Sequence, residues 1–220
     1  MAIPVFALIG GLMALPARAL AKKLVRDRQG EPCESRMLCG MYSAEAWVAV
    51  SILGWALIAA ANQTVGMVRL IQFVCVFEIM LCLSAVDVVT RRIPNELLAA
   101  LLLVFVIGTA AEGGTAGTTL TSKLLGALIA SVVFILPSKM GMNIGWGDIK
   151  YATVIGLGVG LAGFLQVTAV MALALGAYAV YLYLARRGTV KSFAAMGPYL
   201  SLGVMSTLVF PVLQTVLLKT

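Results

Sequence analysis

Long apolar runs constrain this chain more than any other feature. Segments such as 67–86 and 95–111 approach the roughly 20 residues that cross the hydrocarbon core of a bilayer. Inside lipid no water satisfies a backbone N–H or C=O, so each such run must close its hydrogen bonds within itself as a helix. The composition points the same way. Of the residues, 61% are hydrophobic and 11% charged, and the mean hydropathy is +1.03, well outside the range of soluble globular chains. The sequence therefore predicts an all-α, polytopic helix bundle embedded in a lipid bilayer, a single membrane domain over 1–220.

Hydropathy places about eight spans, near 2–21, 45–62, 67–86, 95–111, 119–137, 148–162, 163–185 and 198–218. In the first, PARALA resembles a small-residue cleavage site, but the charges follow the apolar run instead of preceding it. That order suits a retained helix with its N-terminus outside. At 148–185 the glycine-rich stretch GLGVGLAG either joins two short helices or lies within one long tilted helix, and charge decides between them. With two spans there, the loops 22–44, 87–94, 138–147 and 186–197 share one side. Together with the adjoining span ends they hold thirteen of the sixteen basic residues, leaving Arg69, Lys123 and Lys219 for the other side. Such asymmetry marks a cytoplasmic face. It also explains the formal net charge of +7 without nucleic acid as a partner, and it puts Asp87 and Asp148 on the same face of the membrane.

A carboxylate near lipid costs roughly 2.5–3.5 kcal/mol on insertion scales, so these two acids are functional candidates. Asp87 closes the third span, and Thr90, Arg91, Arg92, Ile93, Pro94 and Asn95 follow; Pro94 suits a first helical turn and starts the fourth span sharply. Taken alone, Asp87 also reads as an interfacial aspartate in a solvated turn. Asp148 follows Gly145, Trp146 and Gly147. Glycines let backbone approach backbone, so this loop can pack on the third span while Asp148 opens a helix. A capped helix after a turn is the simpler alternative. If the two acids meet, they form a proton-sharing pair suited to acid–base chemistry.

Asp87 with Ile93-Pro94-Asn95, combined with Gly145-Trp146-Gly147-Asp148-Ile149-Lys150, resembles the type IV prepilin peptidases, membrane aspartyl proteases of the GxGD class. Gly197-Pro198-Tyr199-Leu200 is similar to the Gly-Pro segment that opens the family's last helix. The resemblance runs from about 67 to 218, over a peptidase core of 67–220, with 1–66 a reduced N-terminal region. It implies cleavage of the class III leader peptide of prepilins or pseudopilins at the cytoplasmic face of a bacterial inner membrane, with Asp87 and Asp148 as the catalytic dyad. Gly145, Gly147, Lys150, Ile93, Pro94, Asn95, Gly197 and Pro198 would support that motif.

Longer members of the family also methylate the new N-terminus and carry a zinc-ribbon-like loop with two CxxC pairs. Here that loop has only Cys33 and Cys39, the chain has no histidine, and Cys75 and Cys82 lie within an apolar span. Structural zinc needs four ligands, so no metal and no cofactor are expected. Glu78 shares a helical stripe with Cys75 and Cys82. It lies nine residues before Asp87, ~13 Å deeper, and is expected to be a hydrogen-bonded packing residue. Two rivals stand beside the peptidase. One is a transporter or channel subunit with Glu78 and Asp87 on a proton path. The other is a serine protease with a lysine base, for which the adjacent Ser138 and Lys139 diverge on a helix.

Overall fold

Each apolar run folds into helix, and the helices supply nearly all of the described residues, which are 2–29, 43–111, 120–140, 144–185 and 195–211 of a computed structural model. Among them are seven helices: α1 (Ala2–Gln29), α2 (Ala44–Ala61), α3 (Met67–Thr90), α4 (Asn95–Ala111), α5 (Leu120–Lys139), α6 (Trp146–Leu184) and α7 (Gly197–Val209). Five of these, α1, α2, α3, α5 and α6, are long and apolar enough to cross a membrane, while α4 and α7 are shorter apolar helices. The protein is thus a helical membrane bundle. The expected count of about eight is not met by separate elements, because the spans near 148–162 and 163–185 appear as the one helix α6. The loop with Cys33 and Cys39 lies outside the described residues.

At 39 residues, α6 would measure ~58 Å if straight, about twice a hydrocarbon core. It is not straight. Gly160 breaks it with φ 74 and ψ −180, a conformation that only glycine adopts readily. Contacts on α7 show what the break does. The Tyr151 hydroxyl lies 2.8 Å from Ser201 Oγ, and the Tyr178 ring centroid lies 6.1 Å from that of Tyr199. A straight helix would hold Tyr151 and Tyr178 ~40 Å apart. Between them in sequence, Gln166 donates to the Phe210 carbonyl at 2.6 Å, at the opposite end of α7. The chain therefore runs up one arm, turns back at Gly160 and descends along α7.

Polar contacts define the two rims of the bundle. At one rim the end of α3 meets the start of α7, the starts of α4 and α6 meet, and the end of α1 reaches α4 through Arg28 and Glu96 at 3.5 Å. At the other, Asn62 Nδ2 donates to the Leu208 carbonyl at 2.8 Å, Lys123 bonds Thr109, and Leu161 N–H donates to Ser122 Oγ at 3.2 Å. Between the rims, α3 packs against α1, α2, α4 and α7. Apolar side chains gain little by leaving lipid for one another, so small residues and polar bonds hold such helices together. Large apolar residues accordingly point outward, among them Leu8, Leu53, Leu103, Leu128 and Leu173. Where α5 meets α6, Gly126 and Gly156 touch so closely that a Cβ on either would overlap the other's carbonyl oxygen.

Gly160→Ala forces a side chain into the turn and is expected to cost about 1–3 kcal/mol. Thermal unfolding in detergent measures the loss; a wild-type midpoint would count against the turn.

Candidate active site

Asp87 sits one turn before the end of α3, and that end is tightly built. Arg91 takes the left-handed conformation, φ 50 and ψ 33, and its N–H donates to the Asp87 carbonyl at 2.8 Å. Thr90 Oγ1 donates to the Val86 carbonyl at 2.9 Å. The Asp87 side chain faces inward, with the residue only 4% exposed. Its Oδ2 accepts the N–H of Gly197 at 2.9 Å. Gly197 opens α7, which has no side-chain cap, so its N–H is one of the donors a helix start leaves unpaired, and the dipole there favours a carboxylate. Pro198, next in the helix, has no N–H to satisfy. A Cβ on Gly197 would stand 2.7 Å from Asp87 Oδ2, so glycine is what admits the carboxylate.

Asp148 occupies the third position of α6. The N-cap, Gly145, is extended with φ −67 and ψ 142 and supplies no side-chain cap. The Asp148 carboxylate fills that role, facing the Gly145 N–H, while the Asp148 N–H donates to the Gly145 carbonyl at 3.0 Å. A carboxylate at the third position bonding back to the cap stabilises a helix start. Trp146 beside it is 74% exposed, as befits the membrane–water boundary.

The Ile93-Pro94-Asn95 turn joins the two halves. Ile93 and Pro94 are buried, whereas Arg91 and Arg92 are exposed. The Pro94 carbonyl starts α4 by accepting the Leu98 N–H at 3.2 Å. Gly147 lies against Ile93, where a Cβ would stand 3.1 Å from Ile93 Cβ, and Lys150 Nζ donates to Asn95 Oδ1 at 3.3 Å. Docked in this way, the Asp87 and Asp148 carboxyls are close enough to repel each other when both are charged. Asp87 is enclosed and Asp148 is half-buried, so the two acids differ in their access to water.

Glu78 stays apart. Its Oε1 accepts the Trp55 indole N–H at 2.8 Å, and the buried Ser51 hydroxyl stands beside the same carboxyl. Sequence reasoning missed a further group next to the aspartates. Ser84 Oγ donates to Ser201 Oγ at 2.6 Å, and the Tyr151 hydroxyl lies 2.8 Å from the same atom. Their spacing was a usable signal. Ser84 precedes Asp87 by three residues, Tyr151 follows Asp148 by three, and Ser201 follows Gly197 by four, so each shares a helix face with its neighbour.

Gly197→Ala would drive a methyl group into a buried carboxylate on a rigid helix, at an expected cost of about 1–3 kcal/mol. The check is a lowered unfolding midpoint in detergent; an unchanged one would mean that α7 and α3 do not approach this closely.

Comparison with protein families matches residues 73–182, half of the chain, to the type IV leader peptidase family. No curated protein and no solved structure matches. The matched stretch holds Asp87, the Ile93-Pro94-Asn95 turn and Gly145 through Lys150, and ends before Gly197. With apolar helices long enough to span a bilayer, the chain is an integral membrane protein, and it belongs to the type IV leader peptidase family of peptidases.

Proposed function

We propose that this chain is an aspartic endopeptidase that removes the class III leader peptide from prepilins or pseudopilins at the cytoplasmic face of a bacterial inner membrane, with Asp87 and Asp148 as its dyad. One observation supports the reading most: the two carboxyls lie at the same rim of the bundle, near enough for the charge of one to bear on the other, one enclosed and one half-buried. The charge asymmetry supports the cytoplasmic side, since the basic ends of α1 and α5 share the rim of Asp87 and Asp148. We count the two arms of α6 as separate crossings, which gives eight.

The chemistry follows from a carboxyl pair that shares one proton. The ionised member takes a proton from water while the water oxygen bonds to the scissile carbonyl carbon. The protonated member donates to the carbonyl oxygen, giving a neutral gem-diol. On collapse the C–N bond breaks, the amine leaves with a proton from the first acid, and the second recovers its own from the diol. Which acid holds the proton at rest is a property of the pair. The Gly197 N–H holds Asp87 in place through this cycle.

Asn matches the shape of Asp but cannot ionise or pass a carboxyl proton. Asp87→Asn and Asp148→Asn should each lower cleavage of a prepilin-like peptide by roughly 10²- to 10⁴-fold, and the double variant should be little worse than either single one. Glu78→Gln should keep most activity. Mass measurement of the products across a peptide panel reads all four; near-normal cleavage by either Asn variant would sink the dyad and favour a transporter, to be tested by flux in proteoliposomes.

The orientation has its own check. Cysteines introduced at Arg92 and Lys139 should react with an impermeant reagent from the cytoplasm only, and one at Gly114 from outside only. If the first two label from opposite sides, the aspartates cannot meet.

A further inference from the structure

Resting on the dyad reading, we infer that Tyr151, Ser201 and Ser84 form a buried positioning network that sets the two aspartates relative to each other. The three helices that carry Asp87, Asp148 and Gly197 are α3, α6 and α7, and each contributes one hydroxyl about one turn deeper into the bundle. The other two hydroxyls converge on that of Ser201. Ser84 Oγ donates to it at 2.6 Å, and the Tyr151 hydroxyl lies 2.8 Å away. Ser201 in turn donates to the Gly197 carbonyl at 2.9 Å.

The proton inventory limits the directions these bonds can take. A serine hydroxyl has one proton and two lone pairs. With the Ser201 proton on the Gly197 carbonyl at 2.9 Å, which is nearer than the Met80 carbonyl at 3.5 Å, both lone pairs are open to Ser84 and Tyr151, and Tyr151 is then the donor. In that arrangement Ser201 is saturated. Its output is the place of Gly197, held through its carbonyl by Ser201 and through its N–H by Asp87. Tyr151 is fully buried and rides on the same helix as Asp148, so its bond to Ser201 ties the Asp148 helix to the residue that holds Asp87. Packing alone needs no such hydroxyls at this depth, where an unpaired one is costly.

The test uses the full-length protein in detergent with a prepilin-like peptide that the wild type cleaves and Asp87→Asn does not. Tyr151→Phe removes one oxygen and little else. It is expected to lower kcat roughly 10- to 100-fold, the scale of a small misplacement of reacting groups, with KM little changed and the pH–rate profile displaced. Ser201→Ala should behave alike, and Ser201→Thr, which restores the hydroxyl, should recover most of the rate. Wild-type kcat and pH profile in Tyr151→Phe would overturn the inference while leaving the dyad intact. So would Ser201→Thr as slow as Ser201→Ala, since bulk and not the hydroxyl would then matter. If Tyr151→Phe does not fold, the Ser201 pair decides. A wild type that cleaves no peptide of the panel would overturn the peptidase reading and this inference with it.

Discussion

The bond from the Gly197 N–H to Asp87 is the constraint on which the rest of the site depends. A carboxyl enclosed among apolar helices needs a donor, because a buried polar group without one costs about 1–3 kcal/mol and a charged group more. A helix start offers such donors together with a favourable dipole. To use it, α7 has to begin level with Asp87, glycine has to stand at the contact, and α3 has to stop soon after Asp87, as the left-handed Arg91 makes it do. The turn after α3 then seats Ile93 against Gly147, which fixes where α6 begins and so where Asp148 lies. One buried carboxyl thereby sets the starts of two further helices.

A bundle in lipid cannot hold this geometry by apolar burial alone. What holds it is a set of polar bonds at the two rims, with close glycine contacts between. Gly126 on Gly156 brings α5 against the first arm of α6, and Ser131 Oγ lies 2.9 Å from Thr153 Oγ1 along the same seam. At the far rim, Gln166 and Asn62 donate to backbone carbonyls at the end of α7. These satisfy acceptors that a helix end leaves open. The helix is thus tied at both ends, its start to Asp87 and its end to α2 and α6.

Much of this was legible in the sequence, for definable reasons. Apolar length dictates helix in a membrane, and the bias of Lys and Arg puts Asp87 and Asp148 on one face. The motif spacing also fits: Gly147 has to lie near Ile93, and Lys150 near Asn95, for the two segments to dock. The number of elements was not legible. The spans expected near 148–162 and 163–185 are two arms of α6 with no loop between them, because the single non-helical residue Gly160, at positive φ, turns the chain. Nor does hydropathy mark where a helix ends, and α1 continues to Gln29, well past the expected residue 21. Partners across helices are also invisible to local pattern. Trp55 reads as an ordinary span residue until it is found donating to Glu78, and Tyr151 as core until its hydroxyl meets Ser201.

The depth of each acid separates their roles on the proposed reading. Hydrolysis needs water, and water is scarce toward the middle of a bilayer. Asp148 lies half-buried beside the exposed Trp146, so solvent can approach it from the rim. Asp87 is enclosed and bonded to backbone. Glu78 is about two and a half turns deeper than Asp87, and its one bonded oxygen is engaged by an indole N–H. Proton transfer between carboxyls requires them within hydrogen-bonding reach or one water apart, which ~13 Å along a helix does not allow. The rim therefore has room for two acids in one reaction, and the third is left to join α2 to α3.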